Sequence, residues 1–540
     1  MKKYRLTQSW STTNTTFSLP PANPETIYDR RMWLKQPVTI TFTDTCSTGE
    51  NLLKEGCDAF RAYPLSTCMN NISLTINNTT NQMNMKDGIQ AFMRYHNPGC
   101  KRQIEYSQTP SMLDNTQNYA DGFGSNRNPL GGFIDDSFDY ARGSFPYDSV
   151  AQIPSVNPAT PTTSVVTATL TESLFISPCL FGDDTGPGLI GVQTFEIKIQ
   201  WGDLSRLWSH DPVNGNNITS ITVNFNQPTL LIGSIIPQDI QLIPKSSVYS
   251  YFELSQYSTN YGAVVPAFSN PGSTIITQSN NVQLGSIPNS VYIFARKQNS
   301  SLTFTDTDTF FSINSISINW NGKDGNLSSC SQNDLYNISK KNGCNLSWPE
   351  WKGRTQQLTT TGSTYNYGLT GSVLRLKFGE DIGLESFQAA GLLGTFQFQV
   401  TNISLTNVNQ TAAIQPELWL WFVNEGTFNI LNNTSVSQIG VISKMDVLNA
   451  AASPLVDYKM VRNIYGGDFL SDIKTFGRNL LTGINKGIPI AEKVLGVAGK
   501  VAPLLLGLGE GCNGGDDDYD GGVLVGGKRI KKSKLRSRLH

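Results

Sequence analysis

A strict two-residue alternation of apolar and polar side chains recurs from about residue 30 to residue 430. Val38, Ile40 and Phe42 alternate with threonines, and Phe195 and Ile197 alternate with Glu196 and Lys198. The same pattern returns in residues 72–76, 221–225, 316–320, 374–378 and 396–400. Successive side chains of a strand point to opposite faces, so this alternation predicts half-buried antiparallel strands. Residues 418–423 are apolar at every position, which predicts a central strand covered on both faces.

Two short stretches have helical spacing instead. Residues 85–95 place Ile89, Phe92 and Met93 on one helical face, and residues 333–341 do the same with two apolar residues after Ser331, a favourable N-cap. Long loops rich in Gly, Pro and Asn separate the strands, for example residues 121–132 and the turn at 270–272.

The predicted strands form two sets, one over residues 30–235 and one over 245–430, with a seam at 236–244. Each set offers room for about eight strands of about six residues. The length of 540 residues exceeds what one hydrophobic core covers. We therefore predict an all-β chain with two consecutive β-sandwiches joined by a short linker.

Charged residues make up only 15% of the chain, against about 25% in typical soluble domains. Neutral polar residues take their place, which suits sheets that pack against copies of themselves. The net charge of −1 gives the whole chain no general attraction to nucleic acid. The basic charge is instead concentrated in the last thirteen residues, which contain no acid and carry Lys528, Arg529, Lys531, Lys532, Lys534, Arg536 and Arg538.

The cysteines and histidines do not form a metal-binding pattern. The eight cysteines are widely spaced and form no CxxC pair, and the chain has three histidines. This spacing favours isolated buried thiols over a zinc site. We predict no metal ligands and no cofactor.

The search for catalytic residues likewise yields none. Residues 208–211 read Trp-Ser-His-Asp, but neighbours on a strand face opposite sides and cannot form a triad by themselves. We expect His210 to make a loop contact at the end of the first sandwich, and His96 to end a helix. Glu380 and Asp381 are adjacent, whereas a glycosidase needs two carboxylates across a cleft.

A series of motifs spans residues 30–430 in a consistent order. They are residues 50–65, NPLGGF at 128–133, ARGSFPY at 141–147, LSRLWSHD at 204–211, YFELSQYST at 251–259, residues 286–297, residues 316–353 and LKFGEDIGL at 376–384. This series resembles the double jelly-roll major capsid proteins of virophages and Polinton-like (adintovirus-like) viruses. The resemblance implies two upright jelly rolls per chain and three chains per pseudo-hexagonal capsomer. The C-terminal tail departs from it, because several relatives end soon after the second jelly roll.

The chain changes character at residues 464–468. Ile-Tyr-Gly-Gly precedes Asp468, and Leu-Val-Gly-Gly precedes Lys528. Two residues without Cβ after a bulky residue fit a narrow protease cleft, and the pattern resembles the substrate motif of adenovirus-type cysteine proteases. The candidate cleavage sites follow Gly467 and Gly527. Gly-Gly is also common in flexible linkers, and both interpretations stay open.

The block between these two motifs is amphipathic. Steps of three and four residues place one apolar face on a predicted helix, formed by Phe469, Ile473, Phe476, Leu480, Ile484 and Ile488. One interpretation is a membrane-active peptide over residues 468–508, similar in style to the internal adenoviral protein that disrupts endosomal membrane. The other is a helix that packs beneath its own capsid, against the inner wall or an internal membrane. Its apolar runs are too short for a spanning helix.

The basic tail has three interpretations. It faces packaged DNA through phosphate contacts, or it is a solvated end, or it activates a protease. The third ranks last, because the adenoviral activating peptide relies on a cysteine and this tail has none.

The resulting prediction is a structural, non-enzymatic major capsid protein of an icosahedral dsDNA virus. The expected organisation is an N-terminal arm (1–29), a first jelly roll (30–238), a second jelly roll (239–435), a linker (436–467), an amphipathic helical peptide (468–527) and a basic tail (528–540). The expected partners are two further copies, neighbouring capsomers, penton and minor capsid proteins, a viral cysteine protease, membrane and DNA. The expected location is the virion capsid, assembled in the host cytoplasm or nucleus. A β-sandwich glycan-binding attachment protein is the alternative.

Overall fold

The computed structural model describes residues 7–19, 25–54, 57–96, 109–117, 147–181, 186–212, 218–237, 246–358, 362, 364–385, 388–431 and 433–440, together with 524–525 and 528–529. The chain divides into two compact units, Met1–Gly507 and Leu508–His540. Within the larger unit we distinguish a first half, residues 7–237, and a second half, residues 246–440.

The first half consists mainly of antiparallel strands. They are β1 (Thr7–Trp10), β2 (Asn14–Leu19), β3 (Ile27–Asp44), β4 (Asp58–Phe60), β5 (Met69–Ile76), β6 (Thr79–Met83), β7 (Ser149–Gln152), β8 (Thr162–Ser173), β9 (Phe195–Trp201), β10 (Trp208–His210), β11 (Ser220–Phe225) and β12 (Thr229–Ile235). One sheet has the order β1-β2-β9-β5-β6. A second has the order β11-β3-β8-β7, with β12 also on β3, and β10 pairs with β4.

The second half repeats this organisation. Its strands are β13 (Ser246–Asn260), β14 (Thr274–Thr277), β15 (Val282–Ser286), β16 (Ser290–Lys297), β17 (Ser312–Trp320), β18 (Lys323–Asn326), β19 (Arg354–Leu358), β20 (Thr364–Gly368), β21 (Val373–Lys377), β22 (Leu393–Thr406), β23 (Pro416–Leu431) and β24 (Thr434–Ile439). One sheet has the order β13-β23-β16-β21, with β24 on β23. The other has the order β14-β22-β17-β18, with β15 on β22, and β19 pairs with β20.

The alternating sequence produces the alternating burial that it predicts. In β9, Phe195, Ile197, Ile199 and Trp201 are buried, while the polar residues between them face outward. Burying each such apolar side chain contributes about 1.5–3 kcal/mol. The buried side chains of both halves belong to one contiguous hydrophobic cluster. The prediction of an all-β chain with two consecutive sandwiches is therefore confirmed.

The continuous apolar run of residues 418–423 lies in β23, between β13 and β16 in the sheet. Its residues are buried on both faces, and Trp421 and Phe422 have no exposed surface. This confirms the predicted central strand.

Proline occurs inside the long strand β3 at Pro37, where a missing N–H would normally interrupt a sheet. The partner strand on one side of β3 changes at this point. β12 ends its pairing opposite Lys35, and β11 begins opposite Val38. Pro37 therefore lies where that side of the ladder is already interrupted.

The helices are short: α1 (Pro64–Cys68), α2 (Ile89–His96), α3 (Gln332–Lys341) and α4 (Trp348–Lys352). Helix α2 begins four residues later than predicted, because residues 86–88 form a turn before it. Helix α3 confirms the predicted cap at Ser331. The Ser331 hydroxyl accepts from the Asp334 N–H at 3.3 Å, and the Asp334 carboxylate accepts from the Ser331 N–H at 2.9 Å.

The smaller unit, Leu508–His540, contains β25 (Leu524–Val525) and β26 (Lys528–Arg529), which pair antiparallel. The two strands flank the second Gly-Gly motif.

Candidate functional site

The most distinctive internal feature is the junction, the buried contact region between the first and second halves. Its charged centre is a cluster in which one carboxylate of the second half binds two arginines of the first. Asp308 lies 2.8 Å from the Arg61 guanidinium and 2.6 Å from that of Arg206. Arg61 also donates to the backbone oxygens of Phe304 and Asp306. Arg61 has no exposed surface, so its charge depends on these partners.

Residues 109–117 form a buried strap that adds a fourth charged group to this cluster. Asp114 lies on the strap, 3.7 Å from Arg61, and accepts from the Asp308 N–H at 2.9 Å. The end of the strap also binds the second half. The Gln117 N–H donates to the Gly368 oxygen at 3.2 Å, and the Thr307 hydroxyl donates to the Gln117 oxygen at 2.7 Å. Two arginines therefore face two aspartates within the apolar junction.

An aromatic group joins the halves beside this cluster. Phe92 of α2 stacks on Tyr292 of β16 with ring centroids 4.5 Å apart, and it also contacts Trp421. His96 ends α2, as predicted, and its Nε2 lies 3.0 Å from the Tyr292 hydroxyl. Loss of solvation and, to a smaller extent, the positive charge of Arg375 together lower the pKa of His96 to about 3. The imidazole is therefore neutral in its structural role.

His210 lies on a strand rather than in a loop, but its ring does contact loop residues: Nε2 accepts from the Ile218 N–H at 3.5 Å, and the ring centroid lies 6.2 Å from that of Phe304. His210 lies on β10, which pairs with β4 and places the side chain in the interior. Its Nδ1 lies 2.9 Å from an Asp58 carboxylate oxygen, and that same oxygen accepts from the Trp208 indole at 3.0 Å. The Asp58 partner lies 152 residues away in sequence, so the local sequence gave no signal of this pairing. The group has no exposed surface for a substrate.

Another buried carboxylate, Glu172 of β8, faces the start of α1. The backbone N–H groups of Leu65 and Ser66 donate to its two oxygens at 3.0 and 2.9 Å. Burial nevertheless raises the pKa of Glu172 from its ordinary 4.5 to about 7. The folded state therefore binds this proton more tightly than the unfolded chain does.

We expect Glu172 to make folding stability depend on pH. Protonated Glu172 contributes its full stabilisation below pH 4.5, the ordinary pKa of the group in the unfolded chain. This stabilisation is lost as the pH rises through about 7, the pKa of Glu172 in the folded state. Glu172→Gln should therefore flatten the fall in the free energy of unfolding between pH 5 and 8, measured by urea titration. Glu385→Gln, at a partly exposed carboxylate, is the matched control and should keep the wild-type slope. An unchanged slope in Glu172→Gln would contradict this assignment.

The described surface carries large apolar side chains near sheet edges. Val156 is 85% exposed and Ile153 69% exposed, in the loop that follows edge strand β7. Ile276, on edge strand β14, is 67% exposed. Single exposed apolar residues are normal, but edge strands are also where another chain can pair.

The sequence-predicted site residues fall mostly outside the described residues. This holds for the candidate cleavage positions Gly467, Asp468 and Gly527 and for the apolar face Phe469, Ile473, Phe476, Leu480, Ile484 and Ile488. It also holds for the basic residues Lys531, Lys532, Lys534, Arg536 and Arg538. Lys528 and Arg529 form β26, opposite Val525 and Leu524. These assignments stay predictions.

In the described part of the chain, no cluster of His, Cys, Asp or Glu side chains has the geometry to bind a metal ion. The cysteines described there are free thiols; five are buried and Cys330 is partly exposed. Within the same residues, none of the helices has the length and apolar character needed to cross a membrane.

Family models match both halves of the chain. The model for the Sputnik virophage major capsid protein 1st domain matches residues 3–242. The model for the major capsid protein V20 C-terminal domain matches residues 254–426.

The chain is also similar to whole proteins of this kind. It is 35% identical to the putative capsid protein V20 of Sputnik virophage, and the match covers 98% of this chain and 92% of that protein. The cryo-EM structure of Sputnik virophage contains a chain that is 33% identical, with a TM-score of 0.76 over 86% of this chain and 92% of that one. The mavirus major capsid protein is 14% identical, and its crystal structure has a TM-score of 0.66 over 84% of this chain and 92% of that one.

These matches confirm the double jelly-roll fold and favour the capsid function over the glycan-binding alternative. One of these matches also extends into the tail. A match covering 98% of the chain leaves about 11 residues unmatched, so most of residues 468–540 have a counterpart in the Sputnik protein. The chain belongs to the virophage major capsid protein family, whose members are structural, non-enzymatic proteins of the virion capsid.

Proposed function

We propose that three copies of the chain associate into a pseudo-hexagonal capsomer, and that capsomers meet one another and the penton and minor capsid proteins in an icosahedral dsDNA virus shell. The observation that carries this proposal is the junction. Each chain contains two jelly-roll halves of similar strand content, fixed to each other by buried charge pairs and aromatic contacts. Three such chains supply six comparable jelly rolls, which is the number that a pseudo-hexagonal capsomer needs.

The exposed apolar side chains at the sheet edges are the contacts that we assign to neighbouring copies. Val156→Asp and Ile276→Asp each place a charge where a neighbour would exclude water, so at least one of them should weaken self-association more than tenfold. Sedimentation velocity over a concentration series measures this. Thr160→Asp, at an exposed polar position of the same loop as Val156, is the control and should associate like the wild type. Wild-type association by both apolar variants would remove these edges from the interface.

We further propose the boundary predicted from the sequence between the two jelly rolls, near residue 238, and we extend the second jelly roll past its predicted end at residue 435 to the end of β24. The boundary between them falls in residues 238–245, outside the described residues. It lies between the last strand of the first half and the first strand of the second, and between the two family-model matches.

For the C-terminal block we propose release by an adenovirus-type cysteine protease after Gly467 and Gly527. The support is that two apolar-x-Gly-Gly motifs bracket one amphipathic block. The released peptide, with residues 468–508 on a membrane, acts during entry, and before release the same face packs beneath the capsid wall. The basic tail contacts packaged DNA.

Cleavage predicts a defined mass change. Co-expression with an adenovirus-type protease should yield a large fragment ending at Gly467, seen by intact-mass spectrometry. Gly467→Val should block that cut, because a branched side chain does not fit a channel shaped for glycine. Gly515→Val alters the nearby Gly-Gly that follows Asn513, and cleavage after Gly467 should persist. Uncut wild-type chain under these conditions, together with full-length chain in purified virions, would contradict the proposal.

A further inference from the structure

A polar cleft of about 520 Å³ lies between the two halves, beside the charged cluster of the junction. Both halves contribute to its wall. The lining side chains that matter here are Lys86, Asp203 and Arg206 from the first half, and Arg296, Asn299 and Glu417 from the second. The cleft therefore lies where a bound group would contact both jelly rolls.

The two acids of the wall are already engaged by protein donors. Both Asp203 oxygens accept from Ser205, one from its N–H and one from its hydroxyl, each at 2.9 Å. One Glu417 oxygen accepts from the Asn299 N–H at 3.2 Å. Among the described residues, no donor contacts the second Glu417 oxygen, so this oxygen offers a single acceptor position to a ligand.

The basic side chains, by contrast, retain unused donors. Arg296 is more than nine-tenths buried, yet its only side-chain hydrogen bond among the described residues runs from Nη2 to Asp87 at 2.7 Å. Its Nε is buried without a partner, and so is the indole nitrogen of Trp419, over whose ring the Arg296 guanidinium lies at 5.8 Å. Lys86 forms no ion pair with any described residue, whereas Arg206 is already bound to Asp308.

A ligand for this wall must accept hydrogen bonds from Lys86 and Arg296 and donate one to Glu417. Phosphate in its protonated forms meets both requirements, because it has acceptor oxygens and an O–H. Sulfate has the same shape and only acceptors at neutral pH, so it would place an oxygen against the Glu417 carboxylate. We propose that this cleft binds a hydrogen-phosphate group, free or as a phosphomonoester, and that the group joins the two halves.

The test is thermal unfolding of the full chain, followed by tryptophan fluorescence in increasing phosphate at constant ionic strength. A ligand that binds only the folded state raises the melting midpoint, and we expect a saturable rise of about 3 °C. A parallel titration with sulfate controls for general stabilisation by salt, which does not saturate and is as strong with sulfate as with phosphate. Isothermal titration calorimetry should give one phosphate per chain. Absence of a saturable difference between phosphate and sulfate would overturn the proposal.

Two variants assign the effect to this cleft. Lys86→Met keeps the aliphatic stem and removes the charge, and it should weaken phosphate binding at least tenfold, while Lys198→Met, at an exposed lysine of β9, should not. Glu417→Gln can donate to sulfate and should bring its affinity close to that of phosphate. Unchanged phosphate affinity in Lys86→Met, or unchanged discrimination in Glu417→Gln, would overturn the assignment. Glycerol phosphate distinguishes the two sources of the phosphate group. If glycerol phosphate binds as tightly as inorganic phosphate, the ligand is a phosphomonoester; if it does not bind, the ligand is free phosphate.

Discussion

Asp308→Ala should lower the free energy of unfolding by about 3–5 kcal/mol, because it leaves the buried charges of Arg61 and Arg206 without their common carboxylate. Arg61 has no exposed surface, so water cannot replace the lost partner unless the junction opens. We therefore expect the variant to open first between its two halves. Equilibrium urea unfolding measures the stability change, and hydrogen exchange at the strap, residues 109–117, measures the opening.

The control for this prediction is an exposed ion pair of similar geometry. Lys323 and Glu385 lie 3.0 Å apart with both side chains more than a third exposed. Glu385→Ala should therefore change stability by less than about 1 kcal/mol. If Asp308→Ala were equally mild, the charged cluster would not be what fixes the two halves to each other.

Gly88→Ala is the second substitution expected to have a large effect. Gly88 precedes α2, and a Cβ at this position would overlap the six-membered ring of Trp421 in the second half. Trp421 has no exposed surface, and it packs against Phe92 and Phe294, so its ring cannot move aside without disturbing the core. Overpacking of this kind costs about 1–3 kcal/mol, and we expect the upper end. Urea unfolding is again the measurement.

Gly262→Ala provides the comparison, because a Cβ at Gly262 meets no atom within 4 Å and the backbone there is not left-handed. Its stability should stay within about 0.5 kcal/mol of the wild type. A Gly88→Ala protein as stable as Gly262→Ala would show that the two halves do not pack as closely as the junction requires.

The strands were predictable because their signal is local. Alternation in β9 and the continuous apolar run in β23 follow from the two-residue period of a strand, and each needs only neighbouring residues to be recognised. The Ser331 cap is local in the same way. The later start of α2 was not predictable from periodicity, because Met85 is apolar and in register although the chain turns at residues 86–88.

The junction was not predictable from local pattern. Arg61 and Asp308 are 247 residues apart, and Asp58 and His210 are 152 residues apart. The two-residue period of a strand carries no information about which charged residues pair across such a separation in sequence. The available signal was an arginine inside an otherwise apolar segment: Arg61 and Arg206 both lie in segments that carried the family resemblance. The same segments form the junction in the folded chain.

The proposal of a trimeric capsomer is tested most directly by the native mass of the purified full-length chain, measured by light scattering on a sizing column. We predict three chain masses of 59.2 kDa, and the same stoichiometry for residues 1–467, because the C-terminal block is removable in this scheme. A mass of one or two chains at every concentration tested would contradict the trimer. A trimer of the full chain that is lost in residues 1–467 would contradict the dispensable role of the C-terminal block.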